Sequence, residues 1–288
     1  MLSVNTNVGA MAALQNLTAT NRSMETTQNH INTGLAVAGT KDDSAAYNIA
    51  QSLRGDVGGI SAVTSSLNNA KSVTDVAVSG AEQISDIINQ MKSLALKAND
   101  STLTSEQSAQ FDKDFQKLSN SIKTIINSSS FNGTNLLKNG GGQVSALESL
   151  QGGSVTGAGS GPSAWNPTQL TVANQGLSLD GGSILTFGSA SITSASGAVS
   201  ALSQLEASAK NLQTTLSDLG AASREIDRQL TFNSKLADTL NSGIGNLVDA
   251  DLAKESANLQ ALQVKQQLGV QALSIANQAP QSILSLFR

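Results

Sequence analysis

The chain has no cysteine and only one histidine, His30. The first absence excludes thiolate metal sites and cysteine nucleophiles, and it leaves the redox compartment open. The second excludes an HExxH zinc site, which needs two histidines, and any His-based triad would have to use His30. Only 13% of residues are charged, against roughly 25% in an average soluble protein. Aromatics are 3%, too few for a core built on Phe, Tyr and Trp anchors. The net charge of −4 provides no basic stripe for nucleic acid. No apolar run approaches the ~18–20 residues that span a bilayer, so membrane insertion is not expected. The opening Met1-Leu2-Ser3-Val4-Asn5 lacks the basic and apolar regions of a cleaved signal. Gly140-Gly141-Gly142 and Gly152-Gly153 lack the lysine and the strand–loop–helix setting of a phosphate cradle, and read as linkers. The chain is therefore expected to be no enzyme and to need no cofactor and no metal.

The space left by these absences is filled by Ala, Ser, Asn, Gln, Thr and Leu. A surface poor in charge and rich in small polar groups buries itself against copies of itself at low desolvation cost. The three prolines are Pro162, Pro167 and Pro280, so residues 1–161 and 168–279 contain no strong helix breaker.

Heptad stepping from about Ser44 to Asn99 gives Ile49, Leu53, Asp56, Ile60, Val63, Leu67, Ala70, Thr74, Ala77, Ala81, Ile84, Ile88, Met91, Ala95 and Ala98. All but Asp56 and Thr74 are apolar, which predicts one long helix on the order of 75 Å. Gly55, Gly58, Gly59 and Gly80 lower its intrinsic propensity, so packing has to compensate. A second helix is predicted at about Ser105–Ser128, with Phe111, Phe115, Leu118, Ile122 and Ile125 on one face. From Leu202 the same stepping runs through Leu205, Ala209, Leu212, Leu216, Leu219, Ser223, Ile226, Leu230, Asn233, Ala237, Leu240 and Ile244.

Both ends of the chain are amphipathic. Leu14, Leu17, Met24, Ile31 and Leu35 recur at one end; Val248, Leu252, Leu259, Leu262, Leu273, Ala276 and Ile283 recur at the other. Long apolar seams at opposite ends of a chain are most simply satisfied by pairing with each other and then with neighbouring copies.

The middle differs. Twelve of the 25 glycines lie between Gly140 and Gly188, and from Gly140 to Gly197 the only charges are Glu148 and Asp180. Gln169–Val172 and Ser183–Phe187 alternate apolar and polar residues around the turn signal Asp180-Gly181-Gly182, which predicts a small β-hairpin region. The expected architecture is mainly α: a long coiled-coil helical rod from both chain termini, with that hairpin region in the middle.

Three blocks resemble the bacterial flagellins: VNTNVGAMAALQNLTATNRSMETTQNHINTGLAVAGTKDDSAAYNIAQSLRG near the start, SSSFNGTNLL at 128–137, and QALSIANQAPQSILSLFR at the end. The likeness spans about residues 2–138 and 200–288. It implies a structural subunit that polymerises into the flagellar filament for swimming motility, a homopolymer secreted through the flagellar type III apparatus and extracellular. It further implies an export chaperone, filament cap and hook-junction proteins as partners. Residues 1–46 and 245–288 would form an inner terminal coiled-coil domain plus spoke, ordered on polymerisation. Residues 47–139 and 198–244 would form an outer helical rod, and 140–197 a Gly/Ser-rich region facing solvent. The implied polymerisation seam is Leu14, Leu17, Met24, Ile31, Leu259, Leu262, Leu273 and Ile283.

Lys41-Asp42-Asp43 is a charge cluster with no third carboxylate or nucleophile beside it. It reads as a helix start, and the resemblance places it in the spoke. Gln90, Leu94 and Asp114 fall where flagellins face an innate-immune receptor. Gln90 stands where many carry Arg and Ser93 where they carry an acid, so weak recognition is predicted. The Ser and Thr of the middle segment could accept O-linked sugars or simply form a spacer. The competing expectations are a hook–filament junction protein, a flagellin-like surface adhesin, and a secreted enzyme, for which no catalytic constellation is present.

Overall fold

The computed structural model describes residues 6–152, 167–179 and 184–286. Five helices dominate: α1 (Val8–Thr33), α2 (Ser44–Ala98), α3 (Ser105–Ser128), α4 (Ala195–Val248) and α5 (Leu252–Leu286). Each begins at a side chain that accepts a backbone N–H of the first turn. Asn7 accepts from Ala10 at 3.0 Å. Asp43 accepts from Ala45 and Ala46, Ser194 from Gly197, and Asp251 from Ala253 and Lys254. Thr104 and Gln107 form a reciprocal capping box at α3.

The chain divides into two compact units, Met1–Val57 with Asp238–Arg288, and Gly58–Ala237. In the second unit α2 contributes a continuous buried face, Val63, Leu67, Ala70, Thr74, Ala77, Ala81, Ile84, Ile88, Met91, Ala95 and Ala98. Thr74 is tolerated there because its hydroxyl donates to the Ala70 carbonyl at 2.8 Å. Against this face lie Phe115, Ile122 and Ile126 of α3, and Leu205, Leu212, Leu219 and Ile226 of α4, the last four seven residues apart. Gly80 is explained by contact: a β-carbon there would stand 2.4 Å from the Ser129 hydroxyl and 2.9 Å from Leu137.

Two details of the heptad stepping are corrected. At the start of α2 the buried residue is Ala50 rather than Ile49, which is 52% exposed, because Ala50 packs with Ile244 and Val248 while Leu53 and Val57 close over them. In α4, Ser208 and Thr215 are buried while Ala209 and Leu216 are only half-buried. Ser208 turns inward because its hydroxyl accepts the backbone N–H of Thr186 at 3.0 Å.

That bond also explains the strand pairing. Two strands, β1 (Val144–Gly152) and β2 (Pro167–Val172), form an antiparallel sheet with Val144 opposite Val172 and Ala146 opposite Leu170. Gln169–Val172 is thus a strand, but its partner is β1 and not residues 183–187. The described residues 184–187 run irregularly, with Leu185 and Phe187 buried in the core cluster shared with α4 and Thr186 bound to Ser208. Their alternation reports packing against a helix instead of a ladder. The expected turn at Asp180–Gly182 lies outside the described residues. The sheet is tied to the helices by Leu147 N–H donating to Ser66 Oγ at 3.1 Å and by Gln229 Nε2 donating to the Glu148 carbonyl at 3.0 Å. In the SSSFNGTNLL block, Phe131 and Thr134 exchange backbone hydrogen bonds across Asn132 and Gly133, both at positive φ, a tight turn that Asn-Gly favours.

Candidate assembly surface

In the first unit α1 and α5 lie antiparallel, as cross-links along their length show. Asn7 Nδ2 donates to the Ala276 carbonyl at 2.6 Å, and Gln266 Nε2 donates to Asn21 Oδ1 at 2.9 Å. Leu17 Cδ1 lies close enough to Gly269 that a β-carbon there would meet it at 3.3 Å. At the far end His30 Nδ1 lies 3.6 Å from Glu255 Oε1. Beyond it the chain turns back. Ala36 and Val37 donate to the Val248 carbonyl and Ala250 donates to the Gly34 carbonyl, so residues 34–37 are stitched to 248–250.

The face that α1 turns to α5 carries Ala10, Ala13, Leu17, Met24, Thr27 and Ile31; α5 answers with Leu259, Leu262, Gln266, Gly269, Leu273 and Ala276. Apart from Thr27 these are only half-buried. Leu17, Met24, Ile31, Leu259, Leu262 and Leu273 therefore sit within the pair. Leu14 points elsewhere and is 54% exposed. The side chain of Ile283 lies outside the described residues.

A second stripe was not picked out by stepping along one face. Val264, Leu268 and Ile275 are 55%, 58% and 69% exposed, with Val270 also open to solvent; Leu252, expected on the first stripe, is exposed too. On α1 the exposed large apolar residues are Val8, Met11 and Leu14. α5 is apolar on both faces, the signature of a helix that is buried all round in its working state. The signal was legible: 264, 268 and 275 follow the same three-and-four spacing as 259, 262 and 273, displaced around the helix. Burying any one of these side chains is worth about 1.5–3 kcal/mol.

The Lys41-Asp42-Asp43 cluster does loop work. Asp42 Oδ2 accepts from the N–H groups of Ala38 and Gly39, and Asp43 caps α2, while Lys41 is exposed. Among the described residues no group of three or more His, Asp or Glu could hold a metal ion. No described helix is long and apolar enough to cross a membrane. Gln90 is exposed, Leu94 packs partly against the core, and Asp114 pairs with Lys117 at 3.1 Å; no hydrogen bond or ion pair joins the three.

The bacterial flagellin N-terminal helical region matches residues 4–141, and the flagellin C-terminal helical region matches residues 202–287. The chain is 40% identical over 286 residues to flagellin FljK of Caulobacter vibrioides, covering 99% of this chain and 98% of that one. It is 37% identical to a flagellin of Brucella melitensis, with all of both chains covered. Among solved structures, a flagellar hook-associated protein of Vibrio parahaemolyticus shares the fold, with a TM-score of 0.54 over 72% of this chain and all of that one, at 13% identity. Matched at both ends by the family's two helical regions and along its whole length by named flagellins, the chain belongs to the bacterial flagellin family and is a structural subunit of the flagellar filament.

Proposed function

We propose that the outward apolar stripe of α5, Val264, Leu268 and Ile275, together with Val8, Met11 and Leu14 of α1, is the surface on which a subunit adds to the growing filament. The observation that carries this reading is the double-sided apolar character of α5. Leu17, Met24, Ile31, Leu259, Leu262 and Leu273 then hold the two terminal helices to each other, and Ile283 is assigned to the polymerisation seam from the sequence pattern alone. Full burial of the three α5 residues contributes several kcal/mol, to be set against an association cost of about 4–15 kcal/mol. Several such contacts per subunit are needed, and a head-to-tail arrangement that does not close into a ring supplies them along a filament.

In this reading residues 1–46 and 245–288 form the inner layer, with Lys41, Asp42 and Asp43 in its spoke. Residues 47–139 and 198–244 form the outer layer, and 140–197 lies on its solvent side, anchored through Leu185 and Phe187 in the core of the second unit. The subunit has no catalytic role and works outside the cell. It reaches the tip through the flagellar type III apparatus and meets an export chaperone, the filament cap and hook-junction proteins on the way. Gln90, in place of the Arg found in many flagellins, makes recognition by the innate-immune receptor weak.

The test is seeded growth of the full chain against chains lacking residues 1–34 or 254–288, followed by electron microscopy. We expect filaments from the full chain only, with the second unit of each truncated chain still melting cooperatively. Filaments from either truncated chain would overturn the proposal.

A further inference from the structure

His30 stands where the α1–α5 pair closes, and neither the seam nor the outward apolar stripe uses it. It lies in the last turn of α1, where its carbonyl accepts the Gly34 N–H at 2.8 Å and Gly34 takes the left-handed conformation that ends the helix. Residues 34–37 then bind back to 248–250, which brings the ring beside the first turn of α5.

The ring nitrogen Nδ1 is buried and makes no hydrogen bond. Glu255 Oε1 is 3.6 Å away, beyond hydrogen-bond range. A buried polar atom left in this state is costly and uncommon. An unprotonated Nδ1 turns a lone pair toward a carboxylate that can only accept. A doubly protonated ring turns a donor to the same oxygen and adds a full charge opposite it.

The surrounding backbone favours the same two charges. Because the helices are antiparallel, the C-terminus of α1 lies beside the N-terminus of α5. A cation in the last turn of one helix and Glu255 in the first turn of the other each stand at the favourable end of a helix dipole. The two side chains are only 17% and 18% exposed, so water and salt weaken their attraction less than at an open surface.

The other charges nearby are occupied or open to solvent. Asp251 accepts from the N–H groups of Ala253 and Lys254. Lys254 and Asp249 are exposed, as are Arg22 and Glu25 on α1 itself, and residues 34–37 carry no titratable side chain. Among the described residues no second carboxylate lies within ion-pair distance of the ring. His30 is the one histidine of the chain. Histidine is the side chain that ordinarily changes charge between pH 5 and 8, whereas carboxylates ordinarily titrate below that window.

We propose that His30 and Glu255 form a proton-operated clamp on the terminal helix pair, fastening α1 to α5 and favouring subunit addition when the ring is charged. The ion pair exists only while the ring carries its second proton. Its contribution is therefore present at pH 5.5 and lost by pH 8. This rests on the assembly reading above and adds to it a dependence on the pH of the surrounding medium.

The experiment measures the critical concentration for seeded growth of the full chain at pH 5.5 and pH 8.0, at one salt concentration, for the parent, His30→Gln and Glu255→Gln. The parent is expected to need about three- to tenfold less protein at pH 5.5, the size of one partly buried charge pair at helix ends. In His30→Gln and in Glu255→Gln that ratio is expected to fall below about twofold, with His30→Gln growing at pH 8.0 much as the parent does. A histidine that merely filled space would instead make His30→Gln worse by the same factor at both pH values, and that result overturns the inference. So does a parent without the ratio, or a ratio that survives in either variant. A parent that fails to elongate seeds at both pH values would sink the assembly reading instead. The clamp is then judged on thermal melts of the free chain. A parent melting above His30→Gln at pH 5.5 but not at pH 8.0 supports it, and identical melts at both overturn it.

Discussion

The two units bury their apolar residues to different extents. In the second, Leu67, Ile84, Ile88, Met91, Leu205 and Leu212 are sealed by α2, α3, α4 and the residues around the sheet. In the first, among the described residues, α1 and α5 pack chiefly against each other. Two helices side by side cover at most one stripe each, so Leu259, Leu262 and Leu273 stay half-buried and Val264, Leu268 and Ile275 stay open. A third layer is what separates a closed core from an open one. A single chain closes the second unit; the first keeps Val264, Leu268 and Ile275 open to solvent.

The sharpest way to break this contrast is to make the same kind of cut in both units. Ile88→Ala leaves a cavity in a filled core and is expected to cost about 2–5 kcal/mol, lowering the melting temperature of the monomer by roughly 5–15 °C. Leu262→Ala, on the half-covered seam, is expected to cost about 1 kcal/mol or less in the same calorimetric experiment. Equal losses would mean that the terminal pair is already a closed core. A smaller effect separates stability from assembly. Val264→Ser with Leu268→Ser should leave the monomer's melt within about 0.5 kcal/mol of the parent while raising the critical concentration for seeded growth at least about tenfold. A changed melt with unchanged assembly would reverse the roles given to the two faces of α5.

The smallest effect concerns the surface pair of the second unit. The hydrogen bond from Lys71 to Asp227 holds the lysine above its ordinary pKa of 10.5, with Asp75 adding to the pull and partial desolvation opposing it. A raised lysine contributes its stability below pH 10.5 and loses it as the pH climbs through the folded value. Its side chain is one-third exposed, so the contribution is discounted heavily for solvent. Asp227→Asn is expected to cost no more than about 0.5 kcal/mol at pH 7 by denaturant titration, a difference that vanishes above the lysine's titration and in high salt. A loss of several kcal/mol would show that the pair is structural rather than decorative.

The long helices were legible because their cause is local and periodic. Apolar residues every three and four positions, no proline from 1 to 161 or from 168 to 279, and Ser, Thr, Asp or Asn before each helix specify start, face and length. The acid pair Asp42-Asp43 was readable as a helix start for the same reason. Misreadings arose where the inward face was chosen by a neighbour. Ile49 is the larger side chain, yet Ala50 is inside because Ile244 and Val248 stand on that side. Ser208 is inside because the backbone of Thr186 needed an acceptor. Residues 184–187 alternate as a strand does, but a helix surface took their side chains before a second strand could take their backbone.

By itself, then, the sequence determined five helices, the cap of α2, the two-ended flagellin pattern and the scarcity of charge that suits a self-associating surface, because each depends on residues near one another in the chain. Only the tertiary structure decided which stripe of a doubly apolar helix is spent inside the molecule and which remains exposed. It likewise decided which strand pairs with Gln169–Val172. Those outcomes follow from which surfaces meet, and periodicity along one chain carries no information about its opposite number.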